Sequence, residues 1–170
     1  PYFFHRSHEI NFIAIEMIEG QRLDYLINQK LVNKSKTYKE NLYKGIFEIF
    51  YFFHKEKIVH RDITPKNIII KDDGTPILFD FEFTVDVNRI RYGELKHIIK
   101  KPQHIRTLGG AYAKNQYHWD DAFSVKKIFE KLDFKDDLEF LNLERKVAKM
   151  IGVNEIISVQ NNFFSKKITL

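Results

Sequence analysis

The stretch Ile58-Val59-His60-Arg61-Asp62-Ile63-Thr64-Pro65-Lys66-Asn67, followed by Phe79-Asp80-Phe81-Glu82, decides how this chain reads. Asn67 stands five residues after Asp62, and Asp80 eighteen after it. Between them, Ile68-Ile69-Ile70 is a short β-branched strand, Asp72-Asp73-Gly74 a turn, and Pro76-Ile77-Leu78-Phe79 the return strand. The hairpin brings Asn67 and Asp80 to one end of a small sheet. A loop carboxylate such as Asp62 can orient a hydroxyl and accept its proton. The amide oxygen of Asn67 and the carboxylate of Asp80 are hard donors that suit Mg²⁺. Asp80 lies between two Phe residues, where an unpaired acid would be costly and a metal partner would remove that cost. Singly, each has a plainer reading: Asp62 an acid in a turn before Pro65, Asn67 a turn residue, Asp80 a surface acid at a strand end.

Outward from this stretch, Glu9 to Ile18 is mostly apolar and partly alternating, which predicts a strand broken by Glu19-Gly20. Leu23 to Gln29 predicts a short helix, with Leu23, Leu26 and Ile27 at 3/4 spacing. Thr37 is a candidate cap for a longer helix over about Tyr38 to Lys55. Its apolar positions Leu42, Ile46, Phe47, Ile49, Phe50 and Phe53 form one broad face for burial. Residues 83–118 lack periodicity and read as a long loop. Trp119 to Leu132 predicts a helix with Phe123, Ile128, Phe129 and Leu132 inward, and Leu138 to Met150 another. The tail from Val153 to Leu170 is ambiguous.

The chain has 170 residues, 44% of them hydrophobic and 15% aromatic, too apolar for disorder and long enough for one domain with a sizeable core. Cys is absent, which excludes disulfides and Cys-ligated zinc. No apolar run approaches the length of a membrane span and no signal peptide is apparent, so a cytoplasmic protein is expected. The net charge of +5 would suit nucleic acid, acidic peptide or anionic lipid, but a scattered, solvated Lys surface is the simpler reading, and no nucleic-acid partner is expected.

Together, H-R-D-x-x-x-x-N and D-F-x resemble the catalytic loop and metal-binding strand of the protein-kinase-like superfamily. Glu16-Met17-Ile18 looks like that family's hinge, whose backbone pairs with adenine. The helix ending Phe53-His54 looks like its helix E, and Asp121-Ala122-Phe123-Ser124 like the start of its helix F. The resemblance implies an α+β protein-kinase-like fold: a mainly helical C-lobe with a small catalytic hairpin and a hinge strand, the N-lobe largely missing. It places the end of the N-lobe and the hinge at 1–18 and the C-lobe at 19–170. It implies ATP and Mg²⁺ as cofactors, Asp62 as the group that orients the substrate hydroxyl, and Asn67 and Asp80 on the metal. Glu16, Met17, Ile18 and Ile69 would lie at the adenine. Asp121 would hold the backbone of the H-R-D turn, and Phe81 and His60 would stack.

The departures carry as much information. No Gly-rich loop is present, and the phosphate-gripping Lys and its Glu partner would belong upstream of Pro1, so a missing N-terminal piece is expected. Glu82 replaces the D-F-G glycine; it resists backbone flips that Gly permits, or serves as an extra acid beside the metal. Thr64 stands where Ser/Thr kinases usually carry a phosphate-contacting Lys. A Ser or Thr there together with D-F-E is similar to the kinase domains of class III/IV lanthionine synthetases, which act on Ser/Thr of a peptide. No A-P-E motif precedes Asp121; Thr107-Leu108-Gly109-Gly110 occupies that region.

Arg61 either meets a phosphate on the following segment, with Thr84, Tyr92 and Thr107 as acceptors, or braces the loop. Arg89, Arg91, Lys96, Lys100, Lys101 and Arg106 would attract an acidic substrate or form a solvated face, and His97 and His104 fit no metal-ligand spacing. The expected activity is ATP-dependent phosphorylation of a Ser/Thr hydroxyl on a protein or peptide. The alternatives are a small-molecule kinase of the choline or aminoglycoside type, suggested by Glu82 and the absent A-P-E, and a pseudokinase or scaffold.

Overall fold

The computed structural model describes residues 3–6, 11–14, 16–88, 108–114 and 118–157. At its centre is α2 (Lys36–Glu56), which buries Tyr38, Leu42, Tyr43, Ile46 and Phe50 at 3/4 spacing. Each such side chain removed from water contributes roughly 1.5–3 kcal/mol. The helix begins at Ser35, not Thr37: the Ser35 Oγ accepts the Tyr38 N–H at 3.2 Å. In Ser35-Lys36-Thr37 both hydroxyl residues are plausible caps by type, and only Ser35 stands three residues before a free N–H. Lys57, left-handed at φ 55°, closes the helix, with His54 and Lys55 in its last turn.

Two helices pack on α2. Asp120 caps α3 (Asp121–Leu132), its Oδ1 accepting the Ala122 and Phe123 N–H groups at 3.0 and 3.4 Å. Asp137 caps α4 (Leu138–Met150) in the same way, and its Oδ2 accepts the Tyr43 hydroxyl proton at 3.1 Å. Burial first, then Asp137, push the Tyr43 hydroxyl well above its ordinary range. Rings close this corner, with Phe140 5.5 Å from Tyr43 and 5.1 Å from Phe129. The predicted α3 started too early. Trp119 instead belongs to a strand, and Phe123 is only half-buried beneath Lys127; the inward face is Ala122, Val125, Ile128, Phe129 and Leu132.

The strands are short and all pair antiparallel. β1 (Phe3–Arg6) pairs with β2 (Asn11–Ala14), which carries the middle of the strand expected over 9–18. Residues 16–19 are not in a strand. β3 (Gln21–Arg22) leads directly into the predicted short helix, α1 (Leu23–Asn28). β4 (Ile58–Val59) joins β7 (Val85–Asp86), so the expected loop after residue 83 begins with a strand. The hairpin expected between Asn67 and Asp80 is β5 (Ile68–Ile70) with β6 (Pro76–Leu78), in the register Ile68 to Leu78 and Ile70 to Pro76, and β3 adds on the β5 side.

The ambiguous tail contributes β9 (Ile156–Ile157), which pairs with β8 (His118–Trp119). Just before it the chain is tied down three times. The Gly152 N–H donates to Asp120 Oδ2 at 2.6 Å. The Asn154 amide donates to the His54 carbonyl at 2.7 Å. Glu155 meets Lys114 at 3.1 Å and His118 at 2.7 Å.

Candidate active site

The 3-10 turn Pro65–Asn67 sits between β4 and β5, with Pro65 at its first position, where a missing N–H costs nothing. It folds the Asn67 side chain back onto Asp62. The Asn67 amide donates to the Asp62 carbonyl at 3.0 Å and to Asp62 Oδ2 at 2.8 Å. With its nitrogen so engaged, the Asn67 amide oxygen faces away from Asp62 as an acceptor. The other Asp62 oxygen, Oδ1, accepts the backbone N–H of Gly109 at 2.6 Å. Both oxygens of the carboxylate are therefore held, each with one lone-pair direction left to accept a further hydrogen bond.

The backbone beneath Asp62 is held from α3. The buried Asp121 carboxylate accepts the His60 N–H at 2.6 Å and the Arg61 N–H at 3.1 Å, the bonds the resemblance implied. These two donors and the Arg61 charge oppose burial, which pushes the Asp121 carboxyl up to about 7. Arg61 has φ 70°, a left-handed conformation sustained by those bonds.

Arg61 is 4% exposed; its guanidinium donates to the Phe83 carbonyl and lies over the rings of Trp119 and Phe83 at 5.3 and 5.9 Å. Burial lowers the Arg61 pKa to about 10, which leaves it charged at neutral pH. Of the two readings of Arg61, this geometry is that of a brace. The Thr84 hydroxyl is buried among protein atoms, which disfavours it as a phosphate acceptor; Tyr92 and Thr107 lie outside the described residues.

His60 is fully buried. Its Nε2 carries the proton and donates to the Phe79 carbonyl at 3.2 Å, and its Nδ1 accepts the Asp62 N–H at 3.3 Å. Burial lowers its pKa, keeping the ring neutral. Its ring meets Phe81 edge-on at 5.0 Å, and Phe53 lies 6.0 Å from Phe81.

Asp80 corrects one expectation. It is exposed, although Phe79 and Phe81 flank it, so neighbours in sequence are not its surroundings and burial cost is no argument for a metal there. Phe81 itself is 49% exposed. Asp80 has φ 64°, a conformation that Asp tolerates better than most residues, and it makes no hydrogen bond to any described residue. The Phe79 N–H donates to the Asn67 carbonyl at 3.1 Å, so the backbone on either side of the hairpin ties Asn67 to the residue before Asp80. Glu82 is also exposed. An amide oxygen and an unengaged carboxylate at one hairpin end fit a cation that keeps waters and phosphates as its remaining ligands.

Of the expected adenine contacts, Met17 is 84% exposed and Ile18 and Ile69 are half-buried. Glu16 is exposed. The segment passes close to the hairpin, since a Cβ on Gly20 would stand 2.5 Å from the Ile70 carbonyl oxygen and 2.7 Å from Ile69 Cγ2. Arg89, Arg91, Lys96, Lys100, Lys101, Arg106, His97 and His104 lie outside the described residues. Sequence reasoning missed Gly109 and the ties at Gly152, Asn154 and Glu155. The Gly-Gly pair at 109–110 was the available signal for the first.

The model of the protein kinase domain matches residues 2–100. Serine/threonine-protein kinase C of Synechocystis sp. is 41% identical over 81 residues, covering 47% of this chain and 15% of that protein. Serine/threonine-protein kinase PknA of Nostoc sp. is 31% identical over 81 residues, 47% of this chain and 14% of its own. Calcium-dependent protein kinase 5 of Plasmodium berghei is 28% identical over 127 residues, 71% of this chain and 22% of its own. The chain thus spans less than a quarter of the length of these relatives. Among solved structures, a chain of the yeast RNA Pol II CTD kinase complex matches with a TM-score of 0.47 at 19% identity, over 76% of this chain and 43% of that one. No helix among the described residues is long and apolar enough to cross a membrane. With more than half of its length matched by the family model, and with the α+β architecture described above, this chain belongs to the protein kinase domain family.

Proposed function

We propose that the protein containing this chain transfers the γ-phosphoryl group of ATP to a Ser or Thr hydroxyl of a protein or peptide. The observation that carries the reading is the Asp62 carboxylate, held by Asn67 on one oxygen and by a backbone N–H on the other, above a turn fixed by Asp121. The Ser/Thr protein kinases among its relatives support the substrate class.

In this reading the substrate hydroxyl donates to Asp62, which aligns the oxygen and takes its proton as the new O–P bond forms and the bond to ADP breaks. Asn67 and Asp80 would hold Mg²⁺, which when bound neutralises charge on the phosphate oxygens. Asn67 thereby joins the metal side to the base through its own amide. The backbone of Glu16, Met17 and Ile18 would meet the adenine edge, and Ile69 its face. A protein working on ATP in the cytoplasm is consistent with this assignment.

Asp62→Ala in the full-length protein should lower phosphate transfer about 10²–10⁴-fold while circular dichroism shows the fold retained. Retained transfer sinks the assignment. Phosphate appearing on a small alcohol and on no peptide would assign the choline or aminoglycoside type instead. Absence of Mg²⁺-dependent ATP binding would leave a scaffold.

A further inference from the structure

The turn Leu108–Ala113 lies far from Asp62 in sequence and is hydrogen-bonded to it through the Gly109 backbone N–H. We infer that Gly109 is a positioning residue for the base: its N–H fixes the orientation of the Asp62 carboxylate. This rests on the reading of Asp62 given above.

Three observations carry it. The bond is short, 2.6 Å, and its acceptor is a carboxylate, the class of hydrogen bond that contributes most. The turn that presents the N–H is itself anchored: the Tyr112 N–H donates to the Gly109 carbonyl at 2.8 Å, and the Ser124 hydroxyl on α3 donates to the Tyr112 carbonyl at 3.0 Å. The same helix carries Asp121, so one rigid element supports the base from beneath and from the side. Finally, the conformation is one a side chain opposes. Gly109 has φ 74°, and a Cβ there would stand 2.8 Å from the Ala113 Cβ. Gly110 has φ 48° but open space around it, so the tight requirement falls on the residue whose N–H meets Asp62.

The arrangement gives the Asp62 carboxylate two orienters of different origin. Asn67 is local and covalently close; Gly109 belongs to the segment that precedes α3. Orientation of the base then depends on that segment being docked, and a mispositioned carboxylate loses rate without losing nucleotide affinity.

The test uses the full-length protein with saturating peptide substrate. Gly109→Ala should lower kcat about 10-fold or more, with KM for ATP unchanged. Adding Ala113→Gly, which removes the Cβ contact, should restore part of the loss. Gly110→Ala, which adds comparable backbone strain without the clash, should keep most of the activity. A second variant does not depend on the turn tolerating a side chain: an ester in place of the amide between Leu108 and Gly109 replaces the N–H donor with an oxygen and adds no side chain. It should reproduce the fall in kcat while a cooperative thermal melt, lowered by a few degrees, shows the fold retained. Undiminished kcat in the ester variant overturns the inference, and raised kcat overturns it too, showing that the contact blocks the base. Wild-type protein that transfers no phosphate overturns the underlying reading of Asp62, a result distinct from either.

Discussion

Asp62 and Asp80 are the two carboxylates of the proposed site, and the fold treats them in opposite ways. Asp62 is partly buried, both its oxygens accept hydrogen bonds, and the backbone before it is bonded to a second buried acid. Asp80 is exposed and bonded to no described residue; only its left-handed backbone is specified. A group that must direct a proton needs its geometry set in advance, because misorientation costs rate directly. A group that meets a hydrated cation needs an accessible charge, and rigid bonds to its oxygens would compete with that role.

The sharpest way to break this comparison is Asp80→Asn. Asn accepts the left-handed φ as readily as Asp, so the melting temperature should stay within a few degrees while Mg²⁺-dependent transfer falls about 100-fold or more. Unchanged transfer would remove Asp80 from the metal side. A large loss of stability would show that its charge serves the fold.

Asp121→Asn attacks the held side. The amide keeps one acceptor and turns its NH₂ toward a backbone donor, leaving the His60 or Arg61 N–H unsatisfied at a cost of about 1–3 kcal/mol. The loss should be read by chemical denaturation at pH 8. The pH dependence has a definite sign. The Asp121 carboxyl stands at about 7 in the folded protein, above its unfolded value of 3.8. Its contribution to stability is therefore fully present below about pH 4 and is lost as pH rises through about 7. The wild-type melting temperature should fall between pH 5 and pH 8 by more than that of Asp121→Asn. Parallel curves would show that Asp121 stays ionised throughout.

Glu82→Gly should do least. Glu82 is exposed and not among the residues with positive φ, so the folded state gains little from Gly and the freer unfolded chain costs about 0.4–1 kcal/mol. A loss of activity much larger than this stability change implies would make Glu82 a third acid of the metal side.

The part of the site legible in sequence is the part whose chemistry is contiguous. His60 to Asn67 and Phe79 to Glu82 declare themselves because side-chain types at fixed offsets carry the signal, and the intervening hairpin follows from three Ile residues and Asp-Asp-Gly. Asp121 was legible as well, through the resemblance of Asp121-Ala122-Phe123-Ser124 to the start of the family's helix F. What escaped was carried by backbone. Gly109 and Gly152 act through N–H groups that every residue but Pro possesses, and nothing in composition marks which one will meet a carboxylate. Element edges escaped for a related reason. Trp119 reads as helical by its apolar neighbours, yet it pairs with Ile156, a partner thirty-seven positions away. Exposure at Asp80 was misread because flanking Phe residues in a left-handed turn do not enclose the residue between them.

The tie between Gly152 and Asp120 has a consequence for how this protein is made. Asp62 leaves the ribosome well before Asp121, and ninety residues before Gly152. At about 5–20 residues per second, the H-R-D loop waits roughly 5–20 s for the segment that completes its support. Until Asp121 emerges the His60 and Arg61 N–H groups lack their acceptor, and Trp119 then waits for its strand partner Ile156. The H-R-D loop, first of these parts to be synthesised, thus has its full set of supporting partners only once the last of them has emerged.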